Sequence, residues 1–234
     1  MKLGIIGAMD MEVEILVAAL ENKKEQAIAG SKFYEGSLKG LDAVVVQCGI
    51  GKVNAAMCAQ IMCSVFGVTH LVNTGVAGSL CNELDIGDIL VSVDAMHHDF
   101  DCSPVGYVPG KIPGLDVLAF PADEKLSVLA FEAAEQVNPG HTKTGRVASG
   151  DQFIAGKEIK EKIIAVTDAK CTEMEGAAIA QVAYRNGVPF VILRAISDKA
   201  DDSAEMDYPT FEKIAAHRCA NVTSLLARQL KSSN

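Results

Sequence analysis

Three ionisable side chains within one largely apolar stretch of the sequence have the types and spacing to form a reactive site. They are Glu175, Arg194 and Asp198, and the residues between them are mostly Ala, Val, Ile and Leu. A carboxyl group can donate or accept a proton, and a guanidinium can hold a carboxylate by two hydrogen bonds. A charge within an apolar segment needs a partner, because burying it alone is costly. We therefore expect these groups to meet in one polar site.

The elements predicted around these residues place them at an edge of a sheet. We predict a helix that begins at Thr172, carries the acids Glu173 and Glu175 in its first turn, and ends at Gly187. Residues 188–196 are almost unbroken in apolar and β-branched types, which is typical of a strand buried on both faces. Ligands bind outside the carboxyl ends of such strands. The polar groups that close this strand therefore lie where a ligand is expected.

A role in stability alone is an open alternative for each group. Thr172 and Glu175 have the spacing of a capping box, in which the acid only satisfies backbone donors. Asp198 could be the cap of a following loop, with Arg194 as its structural ion-pair partner. Glu12, in the first turn of a predicted helix, could complement the helix dipole, an effect worth a few tenths to about 1 kcal/mol.

Several short motifs occur in an order that resembles a known family. They are Gly-Ile-Ile-Gly-Ala-Met at 4–9, Ser-Gly-Asp-Gln-Phe-Ile at 149–154, Glu-Met-Glu-Gly-Ala at 173–177 and Arg-Ala-Ile-Ser-Asp at 194–198. The chain resembles the purine nucleoside phosphorylase superfamily over essentially its full length, and most closely the bacterial 5′-methylthioadenosine/S-adenosylhomocysteine nucleosidases. The resemblance implies an α/β three-layer sandwich with a central twisted mixed β-sheet flanked by helices. It also implies a homodimer that hydrolyses adenine nucleosides in methionine salvage, without cofactor or metal.

The resemblance assigns a role to each polar residue. Asp198 is similar to the general acid that protonates adenine at N7, with Ser197 as its hydrogen-bond partner. Glu12 is similar to the general base that deprotonates the attacking water. Glu175 resembles the carboxylate that holds the ribose hydroxyls, and Arg194 the residue that orders the acids. These roles suit the chemistry, because breaking a C–N glycosidic bond requires a proton on the leaving base and negative charge near an oxocarbenium-like sugar.

Apolar and aromatic residues complete the implied site. Phe153 resembles the aromatic residue that stacks on adenine, and Ile154 the residue whose backbone pairs with the purine edge. Met174 is expected against the sugar, and Val76 stands near the ribose where some members have Ser. The residues that fall where the family lines its 5′-alkylthio pocket, part of it lent by the neighbouring subunit, are Met9, Ile50, Cys102, Val105, Tyr107, Pro113 and Tyr208. Cys102, Val105 and Tyr208 differ in size from the family's residues, so selectivity at this end is open.

The nucleophile is predicted to be water. Phosphorylases of this superfamily bind phosphate with arginines from the N-terminal half, since a planar guanidinium pairs bidentately with phosphate. This chain has no Arg before Arg146. The glycine-containing segments 7–12 and 49–53 also fail to match a dinucleotide fingerprint or a Walker loop. The alternatives are a phosphorylase, a nucleosidase that prefers aminodeoxyfutalosine or 5′-deoxyadenosine, and a nucleoside-binding protein that has lost the chemistry.

Composition narrows the class of protein. The 234 residues are 49% hydrophobic and 5% aromatic with no Trp, which favours a layered α/β core in one domain over residues 1–234. The net charge of -9 argues against nucleic acid or an anionic membrane as a partner. Seven Cys without a C-x-x-C motif, no signal-peptide core and no apolar run of about 18 residues predict a cytoplasmic protein. His97, His98 and Asp99 are residue types that bind metals, but adjacent side chains point in divergent directions, so a loop that borders a site or a subunit contact is the favoured interpretation.

The rest of the chain alternates between predicted strands and helices. The predicted strands are residues 2–7, 32–38, 42–47, 69–74, 87–93 and 145–149. The predicted helices are residues 9–20, a helix through about residue 65, residues 122–137, a helix that ends near residue 164, and residues 208–230. Residues 75–79 are predicted to be a loop of small residues at the end of a strand.

Overall fold

The structure, a computed structural model, describes residues 1–232. Its strands are Lys2–Gly7 (β1), Glu21–Ile28 (β2), Ser31–Leu38 (β3), Leu41–Gln47 (β4), His70–Ser79 (β5), Ile89–His97 (β6), Phe120–Pro121 (β7), Thr142–Ser149 (β8), Cys171–Glu173 (β9) and Phe190–Asp198 (β10). Its α-helices are Asp10–Ala18 (α1), Lys52–Ser64 (α2), Glu124–Val137 (α3), Lys157–Thr167 (α4), Gly176–Asn186 (α5) and Ala204–Ser232 (α6). A short 3-10 turn covers Ser103–Val105.

The described strands join in one mixed sheet. Their order is β10-β6-β8-β9-β5-β1-β4-β3-β2, with β7 beside β6 and with β10 also paired to β5. Strands β1, β5 and β10 run parallel to one another, whereas β6 runs antiparallel to β10 and β9 runs antiparallel to β5. The central strands are buried along nearly their whole length. This burial on both faces explains why they read as unbroken apolar runs.

Helices cover both faces of the sheet. On one face, α1, α3 and α6 enclose a core that contains Leu16, Ala130 and Leu226. On the other face, α2 and α5 enclose a second core that contains Cys58 and Ile179. The sheet is the layer between them. The predicted fold class, an α/β three-layer sandwich with a central mixed sheet, is therefore confirmed.

Two boundaries close to the polar residues differ from the prediction. Residues 75–79 are the end of β5 and not a loop, because β10 and β9 pair with them. Helix α5 begins at Gly176, since Thr172 and Glu173 belong to β9, between β5 and β8. The capping-box interpretation of Thr172 and Glu175 is thus wrong.

Other differences arise where the sequence pattern is weak. Strand β2 is not predicted because it is an exposed, mostly polar strand at the edge of the sheet, paired with β3. Strand β6 continues four residues past the predicted end, to His97. Helix α6 begins at Ala204, before the predicted start at Tyr208, and it carries Pro209 near its N-terminus.

Two further features concern the described chain as a whole. The seven cysteines are free thiols, which agrees with the absence of a disulfide pattern in the sequence. Among residues 1–232, no helix combines the length and the apolar character needed to cross a membrane.

Candidate active site

A cavity opens where the central strands end. Its space, together with the open solvent at its mouth, amounts to about 550 Å³. The turn after β1, the end of β5, the β9–α5 junction and the end of β10 form its floor, and the loop after β8 and the start of α6 form its rim. The lining residues are Ala8, Met9, Glu12, Ile50, Val76, Ala77, Gly78, Gln152, Phe153, Ile154, Thr172, Glu173, Met174, Glu175, Arg194, Ser197, Asp198 and Tyr208.

Arg194 is the buried cation of this site. It lies in the middle of β10, is 1% exposed, and ion-pairs with Glu173. Its Nη2 atom lies 3.7 Å from Glu175 Oε2, and its Nη1 atom donates to the Val76 carbonyl at 3.2 Å. Burial opposes its charge, but the neighbouring carboxylates, led by Glu173, outweigh burial and raise the pKa of Arg194. The alternative of a structural ion pair between Arg194 and Asp198 is not borne out, since the ion-pair partners of Arg194 among the described residues are Glu173 and Glu175.

Glu173 has a role that the sequence pattern does not reveal. One of its oxygens accepts the Glu175 amide at 3.1 Å and the Gly176 amide at 2.8 Å, so Glu173 caps the N-terminus of α5. The Ser149 hydroxyl donates to its other oxygen, Oε1, whereas Arg194 pairs with Oε2, the oxygen that accepts the two amides. The signal for this residue is its position two before Glu175 at a strand-to-helix junction, but the pattern favours Thr172 as the cap.

Glu175 is the second acid beside Arg194. It is 3% exposed, and its Oε1 atom accepts the Gly51 amide at 2.8 Å. Burial, followed by the negative charge of Glu173, raises its pKa from 4.5 to about 7, although Arg194 works in the opposite direction. This carboxyl group therefore changes its charge near neutral pH while it faces the cavity.

Glu12 enters the cavity from the first turn of α1. It is 1% exposed and accepts backbone amides from Ala8 at 2.6 Å, from Met9 at 3.0 Å and from Val76 at 3.1 Å. Burial raises its pKa, while Arg194 and these amides favour the charged form. The carboxylate thus satisfies donors at the helix start, as the alternative interpretation expects. It also lines a cavity that an acid serving only the helix dipole has no need to reach.

Asp198 closes β10 on the opposite part of the floor. It is 3% exposed, accepts the Ala200 amide at 2.8 Å, and lies 2.8 Å from the Ser197 hydroxyl. Burial raises its pKa against these two hydrogen bonds. A Cβ atom at Gly78, its partner on β5, would lie 2.7 Å from Asp198 Oδ1. The missing side chain at Gly78 therefore makes room for this carboxyl group.

Aromatic side chains stand at the rim. Phe153 is 51% exposed, and its ring meets that of Tyr208 edge-on, with centroids 5.3 Å apart. The Tyr208 hydroxyl lies 3.3 Å from Met9 Sδ. Ile154, next to Phe153, is buried against a small separate core. A flat molecule can bind between Phe153 and the floor, because half of the Phe153 side chain is exposed and its ring face is free to stack.

The structure brings most of the predicted site residues to this one cavity. Those that line it are Met9, Glu12, Ile50, Val76, Phe153, Ile154, Met174, Glu175, Arg194, Ser197, Asp198 and Tyr208. Tyr107 does not line the cavity of its own chain: it follows the 3-10 turn and is 41% exposed. Cys102, Val105 and Pro113, on the same segment, are also outside it.

The residues that suggested a metal site have other contacts. His97 Nε2 lies 3.0 Å from Gln181 Oε1, and Asp99 is 2.6 Å from the Lys52 ammonium. Within residues 1–232, no group of three or more His, Cys, Asp or Glu side chains is arranged to hold a metal ion.

Comparisons with known proteins agree with one another. A family model described as the phosphorylase superfamily matches residues 2–229. The 5′-methylthioadenosine/S-adenosylhomocysteine nucleosidase of Actinobacillus succinogenes is 42% identical over 97% of this chain and 99% of its own length. The structure of such a nucleosidase from Colwellia psychrerythraea in complex with adenine has a TM-score of 0.94 and 38% identity, covering 98% of this chain and 96% of that one. The futalosine hydrolase of Helicobacter pylori has a TM-score of 0.92 and 35% identity, with 97% of each chain covered.

Fold and site together define the class of this protein. A cluster of buried acids around one arginine, at the carboxyl ends of central strands and beside an aromatic rim, is an enzyme site for acid–base chemistry on a small organic molecule. The matches extend over nearly the whole chain. The protein belongs to the phosphorylase superfamily and, within it, to the family of the 5′-methylthioadenosine/S-adenosylhomocysteine nucleosidases.

Proposed function

We propose that this enzyme hydrolyses the N-glycosidic bond of 5′-methylthioadenosine and S-adenosylhomocysteine. The products are adenine and either 5′-methylthioribose or S-ribosylhomocysteine. The observation that carries the proposal is the convergence of Glu12, Glu175 and Asp198, which are far apart in sequence, on a single cavity. The family relationship supports the same substrates.

Asp198 is the proposed general acid. Burial raises its pKa, so this carboxyl group takes up a proton more readily than an exposed aspartate does, and once protonated it can donate to N7 of adenine as the C–N bond breaks. Ser197, at 2.8 Å, orients that group. Neutralising the leaving base is the main requirement of this step, because adenine otherwise departs as an anion.

Glu12 and Glu175 are proposed to act on the sugar side. Glu12 contacts β5 at the Val76 amide, whereas Asp198 lies beside Gly78. These contact points are two residues apart, roughly 6.6 Å along the strand, which leaves room for a sugar between the two acids. Glu12 takes the proton of the attacking water, and ionised Glu175 holds the ribose hydroxyls and stabilises positive charge on the ring.

The adenine ring is proposed to lie between the rim and the floor. Phe153 offers an exposed face for stacking, and Ile154 offers backbone groups to the purine edge. Met174 packs against the sugar, and Arg194 holds the acids through its contacts with Glu173 and Glu175. Met9, Ile50 and Tyr208 extend from the sugar side toward the 5′-substituent.

Water is the proposed nucleophile, and the distribution of cations supports it. The arginine that lines the cavity is already bound by glutamates, and no Arg precedes Arg146 in the sequence. A phosphate would also lie against Glu12, whose repulsion opposes binding. Release of adenine from methylthioadenosine should therefore proceed at full rate in phosphate-free buffer. A rate that depends on added phosphate would indicate a phosphorylase.

A second substrate class has specific support. The similarity to the futalosine hydrolase covers 97% of each chain, and Tyr208 lines the cavity where the family resemblance leaves selectivity for the 5′-substituent open. Aminodeoxyfutalosine and 5′-deoxyadenosine are therefore competing candidates. Offering each in competition with methylthioadenosine, and measuring adenine release by chromatography, ranks them. The proposal requires the two thioether substrates to have the highest kcat/KM values.

We also propose that the working enzyme is a homodimer in a reducing cytoplasm, where it serves methionine salvage. The segment with Cys102, Val105, Tyr107 and Pro113 is outside the cavity of its own chain, so a neighbouring subunit can supply it. Val105 and Val108 on this segment are mostly exposed in the single chain. Free cysteines without disulfides fit a reducing compartment. Nucleic acid and membranes are not proposed partners, given the net charge of -9.

A further inference from the structure

Two aspartates and a lysine outside the catalytic cluster join loops at the rim of the cavity. The Lys52 ammonium lies 2.6 Å from Asp99 Oδ1. Asp99 Oδ2 accepts the Asp151 amide at 3.0 Å, and Asp151 Oδ1 accepts the Lys52 amide at 2.8 Å. These three contacts close a ring, the Lys52–Asp99–Asp151 network.

The network connects three segments that are distant in sequence. Lys52 starts α2, directly after the loop that carries Ile50 and Gly51. Asp99 follows β6, and Asp151 belongs to the loop after β8 that carries Phe153. The Gly51 amide also donates to Glu175 Oε1 at 2.8 Å. Through the adjacent Gly51, Lys52 is therefore connected to the acid proposed to hold the ribose.

The loop after β8 is fixed at its two ends, by the Gly150 amide, which donates to the Glu173 carbonyl at 3.1 Å, and by buried Ile154. Residues 151–153 are exposed, and the Phe153 ring meets Tyr208 only at its edge. In contrast, the side chains of Lys52 and Asp99 are 20% and 18% exposed, so water and salt screen their attraction only in part. Hydrogen bonds with a charged partner are the strong ones. Both Asp99 oxygens accept hydrogen bonds, one from the Lys52 ammonium and one from the Asp151 amide. The side chain of Asn has a single oxygen and no charge, so it cannot replace both oxygens.

Ionisation of Asp99 fits this arrangement. Burial disfavours its charge, but the Lys52 ammonium and the Asp151 amide outweigh burial and lower the pKa of Asp99. Asp99 does not line the cavity and so has no contact with a bound nucleoside. Any effect on catalysis must pass through the segments that it joins.

We propose that Asp99 is a positioning residue: through Lys52 and the Asp151 amide, it holds the loop with Phe153 in the conformation that accepts the adenine ring. This inference rests on the proposed function of the cavity. It predicts an effect on base binding and not on the acid–base step, because Glu12 and Asp198 keep all their contacts when Asp99 changes.

The test is the variant Asp99→Asn, with free adenine as the probe. The Kd of adenine by calorimetry and the KM of methylthioadenosine are each expected to rise about tenfold, the size expected for a lost ionic hydrogen bond. The kcat value should stay within about twofold. Amide hydrogen exchange should accelerate in residues 150–154 and stay unchanged in residues 176–186.

Two further variants separate positioning from general stability. Lys52→Met removes the same ion pair from its other end, so the double variant with Asp99→Asn should lose little more than either single variant. Asp94→Asn is the matched control, because Asp94 pairs with Arg146 at 2.7 Å and the two side chains are similarly half-buried, 20% and 29% exposed. It should leave the adenine Kd unchanged.

The results of these measurements distinguish a positioning role of Asp99 from a general effect on stability. Wild-type affinity for adenine in Asp99→Asn overturns the proposal, and so does an equal loss in Asp94→Asn, which would reveal a general effect on stability. A fall in kcat at unchanged KM would also overturn it. A wild-type enzyme that releases no adenine from methylthioadenosine contradicts the proposed function instead, while adenine binding and hydrogen exchange still decide whether the network positions the loop.

Discussion

At the scale of residues, one arginine faces more acids than it can neutralise. Glu12, Glu173 and Glu175 are all buried beside Arg194. Burial raises the pKa values of Glu12 and Glu175, and the negative charge of Glu173 adds to the effect on Glu175, whereas Arg194 opposes both shifts. The cluster can thus exchange protons near neutral pH, which is the property that a nucleosidase needs.

Glu12→Gln tests the base. We expect kcat to fall by ~100- to 10,000-fold, the usual contribution of a positioned base, while adenine still binds, since Gln can accept some of the same backbone amides. The measurement is steady-state release of adenine together with calorimetry. The control is Glu14→Gln, which changes a part-exposed acid on the same helix that contacts His217 and should leave activity intact. Near-full activity of Glu12→Gln would return Glu12 to a role at the helix start alone.

The raised pKa of Glu175 predicts that the stability of the protein depends on pH. Its pKa is about 7 in the folded protein and near 4.5 when unfolded, so the folded state binds the proton more tightly. The corresponding stabilisation is complete below about pH 4.5 and is lost as the pH rises through 7, by about 3 kcal/mol. The free energy of unfolding of the unliganded wild type should therefore fall by this amount relative to Glu175→Gln between pH 4.5 and pH 8. Urea denaturation at equal protein concentration measures it, and a difference that does not vary with pH would contradict the assignment.

At the scale of elements, the small residues of β5 shape the site. A Cβ atom at Gly75 would overlap the Arg194 guanidinium and the Glu12 carboxylate, and one at Gly78 would crowd Asp198. Glycine and alanine at the end of a strand resemble a loop in sequence. In the folded protein they let buried charged side chains approach the backbone closely.

Gly75→Ala tests this role. The backbone of Gly75 is not in the left-handed region, so the strand tolerates Ala, but the new methyl group displaces Glu12 or Arg194. We expect a loss of roughly 1–3 kcal/mol in the free energy of unfolding and a large fall in kcat. Gly156→Ala is the control, because a Cβ atom there has its nearest contact at 3.8 Å. A wild-type kcat in Gly75→Ala would show that the missing side chain of Gly75 is not needed to place Glu12 and Arg194.

The same elements show how much of the fold and of the site could be predicted from the sequence. The apolar runs of β1 and β10, with Arg194 and Asp198, could be predicted because burial and charge leave a local pattern. The pattern around Glu12 favours only a role at the helix start, and its role as a base is implied by the family resemblance. Strand β2 could not be predicted from the sequence, since an exposed edge strand pairs through its backbone and needs no apolar face. The role of Glu173 was hidden because it depends on Arg194, whose contact with it arises only when β9 and β10 enter the same sheet.

At the scale of the whole molecule, a single chain leaves the mouth of the cavity open. Ile50 and Phe153 line it and are more than half exposed, and the segment with Val105 and Tyr107 exposes further apolar surface elsewhere. Apolar groups on both surfaces can be buried together when two chains associate. A homodimer completed in this way would cover the 5′-substituent of the nucleoside.

Val105→Asp tests the dimer. Val105 is 73% exposed in the single chain, so the substitution should not affect folding of the subunit, but a carboxylate in a closed interface is unfavourable. Sedimentation should show weaker association, and the KM of methylthioadenosine should rise more than the Kd of adenine. Val128→Asp, at a 53% exposed position on α3, is the control. A fully active wild-type monomer would contradict the proposal.

The most direct test of the central claim, that the converging carboxyl groups cleave the bond between sugar and base, is Asp198→Asn. Turnover of methylthioadenosine and calorimetric binding of an uncharged nucleoside analogue are measured on the same preparation. We predict that kcat falls by ~100- to 10,000-fold, because Asn cannot protonate the leaving adenine, while the Kd of the analogue stays close to that of the wild type. Turnover at the wild-type rate, or binding lost in proportion to turnover, would contradict the account.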